Sequence, residues 1–155
     1  MTEIRTTIVD VYVLRPSKVG FEALCLKRAA LTRCAGTWET VHGHILDGET
    51  PADAGLRELR EETGLTPARF YNVSRVESFY LHRQDAIVLI PVFCAIVARH
   101  ASVTTSAEHD DSLWLAPDEA ARKFAWPREA HALADVMALF GRGDAGGLED
   151  VLRVL

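Results

Sequence analysis

Gly43–Leu65, GHILDGETPADAGLRELREETGL, is the stretch from which the rest of the chain is read. In a helical reading, Glu58, Glu61 and Glu62 fall at i, i+3 and i+4 and share one face. Three carboxylates within one turn repel one another. A hard divalent cation such as Mg²⁺ or Mn²⁺ relieves that repulsion, because such ions take oxygen ligands. The same spacing also fits a solvated mixed-charge face, with Arg57 at i, i+4 from Glu61. Local signals delimit the helix. Asp47-Gly48-Glu49 marks a turn, Thr50 is an N-cap, and Pro51 suits the first helical position. The apolar positions Ala52, Ala54, Leu56 and Leu59 carry the helix to about Thr63, and Gly64 can end it in a left-handed conformation. Gly55, inside the helix, costs about 1 kcal/mol relative to Ala and is a candidate for close packing on a sheet.

Outward from this helix the chain reads as strands. Thr6–Leu14 (TTIVDVYVL) is β-branched and closed by Arg15-Pro16-Ser17. Phe21–Arg28 (FEALCLKR) alternates, and a hairpin through Ser17–Gly20 joins the two. Ala29–Thr37 reads as a loop, followed by short extended pieces at Trp38–Val41 and Gly43–Leu46. Beyond the helix, Arg69–His82 is a strand with an irregular start. Asp85–Arg99 is a long apolar strand, bent or bulged at Pro91. Ser112–Leu115 is a short strand. Helices are expected from Pro117 to about Phe124, from Trp126 to about Leu139, and near Leu148–Leu155. This order gives an α/β domain with a mixed sheet between helices, a single domain over 1–155.

The 155 residues suffice for a buried core, and a formal net charge of −5 without a basic run argues against sequence-independent binding to a nucleic-acid backbone. No stretch approaches the roughly 20 apolar residues of a membrane span, and the N-terminus has no signal-peptide pattern. Cys25, Cys34 and Cys94, odd in number and scattered, read as free thiols in a reducing cytoplasm.

Taken whole, Gly43, five residues, Glu49, seven residues, Arg57-Glu58-Leu59, one residue, Glu61-Glu62, one residue and Gly64-Leu65 resembles the Nudix box, GX5EX7REUXEEXGU with U aliphatic, at every specified position. The resemblance implies an α/β/α sandwich and a cytoplasmic pyrophosphohydrolase. Its substrate would be a small nucleotide in which a nucleoside diphosphate is linked to another group, and its cofactor Mg²⁺, with Mn²⁺ as an alternative. It further implies that Glu58, Glu61 and Glu62 hold metal, that Glu58 or Glu61 serves catalysis, and that Arg57 orients them by salt bridges. By the same resemblance Gly43 offers a backbone carbonyl to the metal, and Glu49 is a metal-site helper or a structural acceptor. Glu108 is the candidate carboxylate from outside the box, for metal or catalysis. Homodimerisation is compatible with the resemblance, through the 85–99 run or the C-terminal helix.

Trp38 ahead of the box, Glu108-His109 followed by Trp114, and Trp126-Pro127-Arg128-Glu129-Ala130 are similar to the bacterial branch acting on dATP and dihydroneopterin triphosphate. Trp38 is the candidate for stacking on a base. A Nudix enzyme for nucleotide sugars or dinucleoside polyphosphates is the alternative, and a non-catalytic nucleotide-binding Nudix module is the alternative of another class.

Overall fold

The structure is a computed structural model that describes residues 1–155. Its strands are β1 (Glu3–Arg5), β2 (Ile8–Ser17), β3 (Gly20–Arg28), β4 (Trp38–Glu39), β5 (Val41–His44), β6 (Arg69–Leu81), β7 (Ala86–Ile96) and β8 (His109–Leu115). Its helices are α1 (Pro51–Thr63), α2 (Pro117–Lys123), α3 (Pro127–Phe140) and α4 (Glu149–Leu152). All strands join one mixed sheet, and β2 is parallel to β7 but antiparallel to β3 and β5.

Alternation along the strands sends two sets of apolar side chains to opposite faces. Val9, Val11, Val13, Leu24 and Leu26 meet Ala54 and Leu59 of α1. Tyr12, Leu14, Ala23, Cys25 and Cys94 meet α2 and α3 through Ala120, Leu133, Val136 and Phe140. The result is the α/β/α sandwich. Gly55 lets α1 lie close on the sheet, since a Cβ there would be 3.2 Å from both Phe70 and Val11. No helix is long and apolar enough to cross a membrane.

The sheet forks in the middle. β2 and β3 are paired from the two-residue hairpin loop at Lys18-Val19 to Leu14↔Ala23 and then part. β4 continues along β3, and β5 continues along β2. Thr40 sits at the apex, donating its hydroxyl to the Val11 carbonyl at 2.6 Å and its amide to Glu129 Oε1 at 3.1 Å. The opening between the two arms lies next to α1.

Three expectations are corrected. β2 does not close at Arg15-Pro16-Ser17 but runs through Ser17. Its pairing with β7 ends at Leu14, so Pro16 stands on a free edge, where a missing N–H costs no ladder bond. The bulge expected at Pro91 is not in β7 itself. The irregularity lies in the partner strand, where the register jumps between Asn72 and Val76 and Ser74 adopts a φ of 58°. The helix expected over Leu148–Leu155 is α-helical only at Glu149–Leu152, after a 3₁₀ turn at Gly146–Leu148; beyond it Val154 donates its amide to the Phe70 carbonyl, covering the start of the β6 edge.

Candidate active site

α1 begins and ends on the residues that favour those roles. The Thr50 hydroxyl accepts from the Asp53 amide at 3.2 Å, Pro51 opens the helix, and Gly64 closes it at a φ of 70°. Leu59, fully buried, anchors the helix on the sheet. The opposite side of the same turns carries the charged residues.

Arg57 organises them. Its Nε and Nη2 hold both oxygens of Glu49 at 2.8 and 2.9 Å, a fork on a carboxylate. Nη1 reaches Glu58 Oε1 at 2.7 Å and Glu61 Oε2 at 3.2 Å, and Nη2 also donates to the His44 carbonyl at 2.7 Å. The Leu46 amide adds a third donor to Glu49, at 3.0 Å. Glu49 therefore faces Arg57 and the turn, accepting from both. These hydrogen bonds, from Arg57 first and then Leu46, draw its pKa down to about 2. A carboxyl depressed on folding stabilises above its unfolded value near 4.3 and loses that contribution as pH falls through about 2. Glu49→Gln should therefore flatten the acid limb of a Tm-versus-pH curve between those values.

Glu62 is in the opposite situation. It is 2% exposed, and neither carboxylate oxygen has a hydrogen-bond partner. Burial raises its pKa well above normal, and the charges of Glu39, Glu58 and Glu108 push it further; the His42 amide opposes this only weakly, its geometry falling short of a hydrogen bond. Burial also raises Glu58, with Glu61 and Glu108 adding to the effect and Arg57 opposing it. Glu61 is exposed at the rim.

A cleft of about 190 Å³ opens at the fork, lined by Arg28, Thr32, His42, Gly43, His44, Glu58 and Glu108. The structure thus brings Gly43, Glu58 and the extra-box Glu108 to one cavity. A larger apolar groove of about 360 Å³ runs between α2 and α3. Its only ionisable side chain is Asp118, so the acid–base chemistry belongs to the smaller cleft.

Gly43 presses its backbone against Glu58: a Cβ at this position would lie 2.0 Å from the Glu58 carboxyl carbon. Gly43→Ala would be accommodated by swinging that flexible side chain away. We expect a fall in kcat of about 100-fold, as for an angstrom-scale misplacement, with a stability change of about 1 kcal/mol or less by urea denaturation. A variant as active as wild type would show that the place of Glu58 is immaterial.

Trp38 is not among the residues lining the cleft. It pairs with Lys27 on the α2 side of the sheet, with the Lys123 ammonium 4.9 Å from its ring centroid. Trp126 caps α3 and is exposed.

Several residues of the site region were not singled out from the sequence. Asp10 in β2 is completely buried and accepts from His42 Nδ1 and, at 2.6 Å, from Arg128 Nη1. Burial alone would raise its pKa, but His42 and Arg128 outweigh that and hold it low. Glu129, equally buried, is pushed well up by burial and by Asp10; its Oε1 accepts the Thr40 amide, and its Oε2 has no partner. A signal for Asp10 was available: an acid at the inward phase of an apolar alternating strand. Arg28 had none, because only the fork makes it a neighbour of the box helix; His42 adjoins Gly43 in the chain, but its tie to Asp10 comes from the pairing of β5 with β2.

As the side chains stand, no three of them close into a metal cage. The donor set nevertheless fits a hard cation. Glu62 presents two unpartnered buried oxygens one helical turn from Glu58, and the glycine at position 43 leaves room that any Cβ would fill.

Residues 5–136 match the NUDIX domain family. Nucleoside triphosphatase NudI of Salmonella agona is 28% identical over 109 residues, covering 66% of this chain and 77% of that protein. Its Salmonella newport counterpart is 30% identical, over 56% of this chain and 66% of that protein. Among solved structures, the C. elegans Ap4A hydrolase complex superposes with a TM-score of 0.71 at 19% identity, covering 84% of this chain and 94% of that one. The E. coli dihydroneopterin triphosphate pyrophosphohydrolase superposes with a TM-score of 0.67 at 21% identity, covering 86% and 95%. With the family match spanning most of the chain and the box helix standing at the fork of the sheet, the chain belongs to the NUDIX domain family and is a MutT-like Nudix hydrolase of the pyrophosphohydrolase type.

Proposed function

We propose that this chain, as a single domain over 1–155, hydrolyses a nucleoside or pterin triphosphate, or a related nucleoside diphosphate linked to another group. Water attacks phosphorus, and a triphosphate yields a monophosphate and pyrophosphate. Mg²⁺ is the cofactor, with Mn²⁺ able to replace it. The observation that carries the reading is the pair of unpartnered, buried Glu62 oxygens beside a cleft bounded by Gly43, Glu58 and Glu108. The NudI relatives, named nucleoside triphosphatases, support the substrate class.

Glu58, Glu61, Glu62, Glu108 and the Gly43 carbonyl would hold the ion. Once bound, it supplies charge neutralisation on phosphate oxygens and a lowered pKa for bound water. The chain's own groups do the rest. Arg57 fixes Glu58 and Glu61 against the helix, and Glu58 or Glu108 takes the proton of the attacking water. Arg28, the cleft's guanidinium, faces the anionic substrate. Trp38 would meet a base only where the substrate extends past the sheet edge towards α2; a raised KM with unchanged kcat in Trp38→Ala assigns that contact.

The test is a Mg²⁺-dependent hydrolysis panel of nucleoside triphosphates, dihydroneopterin triphosphate, nucleotide sugars and dinucleoside polyphosphates, with product identification. Pyrophosphate release is expected, and Glu61→Gln should lower kcat by about 10²–10³-fold, or roughly 3–4 kcal/mol of barrier. No turnover on any compound, or a Glu61→Gln loss of only two- or threefold, would sink the reading. Release of a sugar phosphate or a second nucleotide would move the substrate assignment.

A further inference from the structure

We propose that Glu39 and His109 form a buried pair whose task is to place Glu108 against the carboxylates of α1. This rests on the assignment of Glu108 to the metal and catalytic site made above. The Glu108 carboxylate itself is exposed and makes no hydrogen bond or ion pair within the protein, so nothing at its own tip fixes it. Its position is set by the backbone, and that backbone is irregular here. β8 pairs with β3 in regular register from Leu115 to Asp111. The register then slips, so that His109, not Asp110, stands opposite Arg28. Bulges of this kind re-aim side chains near active sites. Beyond the slip the Ala29 amide donates to the Glu108 carbonyl at 2.9 Å, and the Glu108 amide donates to the Ser106 hydroxyl at 3.3 Å.

The side chain adjoining Glu108 adds a buried anchor to these backbone bonds. His109, with a fully buried ring, points its Nε2 at Glu39 Oε1 at 2.9 Å. The same oxygen accepts from Arg28 Nη1 at 2.9 Å, and Glu39 is itself 5% exposed. One buried carboxylate in β4 therefore ties the end of β3 to the start of β8. It fixes both the cation and the outer carboxylate of the cleft, Arg28 and Glu108. A well-packed apolar trio would serve stability as well as this buried ion-pair cluster, since desolvation offsets much of the Coulombic gain. Fixed geometry is what the charged cluster adds. Glu39 and His109 are positioning residues: neither lines the cleft.

The experiment uses the full chain and the variants E108A, H109A, H109Q, E39Q and E108A/H109A. Mn²⁺ affinity is measured by electron paramagnetic resonance without substrate, alongside kcat, KM and Tm. H109A should weaken Mn²⁺ binding and lower kcat by about 10-fold or more, the range for residues that orient a metal ligand. The double variant should be no worse than E108A, because the histidine acts only through Glu108. H109Q, whose amide nitrogen can stand where Nε2 stands, should recover most of both. E39Q supplies the same reading should H109A fold poorly, with a several-fold loss of Mn²⁺ affinity. Unchanged Mn²⁺ affinity and kcat in H109A and E39Q beside a lowered Tm would leave a structural role only and overturn the proposal. So would losses that multiply in the double variant. If E108A alone leaves metal binding and kcat intact, the assignment of Glu108 falls first and the proposal with it.

Discussion

Glu62→Gln should abolish turnover and at the same time make the metal-free protein more stable. Glu62 is 2% exposed, with both oxygens unpartnered and Glu39, Glu58 and Glu108 close enough to raise its pKa, after burial itself. Nothing in the folded chain compensates that carboxylate, so its place there is a cost carried for function. Glutamine keeps the shape, removes the charge, and offers an N–H to the acidic neighbours. We expect a gain of about 1 kcal/mol in urea denaturation without metal, within the range of single stabilising changes at functional sites. The sign with pH follows from linkage. A carboxyl raised on folding loses stabilisation as pH climbs from its unfolded value near 4.3 towards its folded one, so the advantage of the amide should open across that window. Activity moves the other way. With Glu62 in its proposed metal-holding role, its removal should lower kcat by about 10³-fold, roughly 4 kcal/mol. A variant keeping a tenth of wild-type kcat, or one less stable than wild type in the absence of metal, would contradict this account of Glu62.

How much of the site could be read in advance depended on sequence separation. The box helix was legible to its caps because Thr50, Pro51 and Gly64 act within a few residues of where they stand. The carboxylate spacing follows from helical geometry alone. Glu108 could be nominated by resemblance, but its meeting with Glu58 required the fork between β2 and β3, which no local pattern encodes. The same holds for the groups behind the cleft: Glu39 and His109 lie 70 residues apart, and Asp10 and Arg128 lie 118 apart. Trp38 was only half legible, since its face depends on a strand pairing. The alternation of β3 puts Cys25 and Lys27 on one face, and Trp38 pairs with Lys27, so its ring goes to the α2 side. Pro16 and Pro91 show the limit of residue-level rules, since a proline's effect depends on which strand edge it occupies.

The buried cluster around Asp10 has the largest expected effect on stability. Asp10 is fully buried and is the common acceptor for His42 and Arg128, which come from β5 and the first turn of α3. Removing it in Asp10→Ala leaves a guanidinium and an imidazole, both largely buried, without their carboxylate beside Glu129. Breaking a buried pair from one side costs about 3–5 kcal/mol, a large part of the 5–15 kcal/mol that holds a typical domain together. Asp10→Asn, which keeps an acceptor but not the charge, should cost about half as much. The diagnostic variant is the double one. In Asp10→Ala with Arg128→Met the stranded charge is gone, so part of the loss should return, giving a coupling energy of about 1–3 kcal/mol in a double-mutant cycle. Because His42 lines the cleft and Glu129 pins Thr40 at the apex of the fork, the single variant should also lose kcat. A cycle with no coupling, or an Asp10→Ala loss below about 1 kcal/mol, would mean that water reaches this cluster and that α3 is held by its apolar face alone.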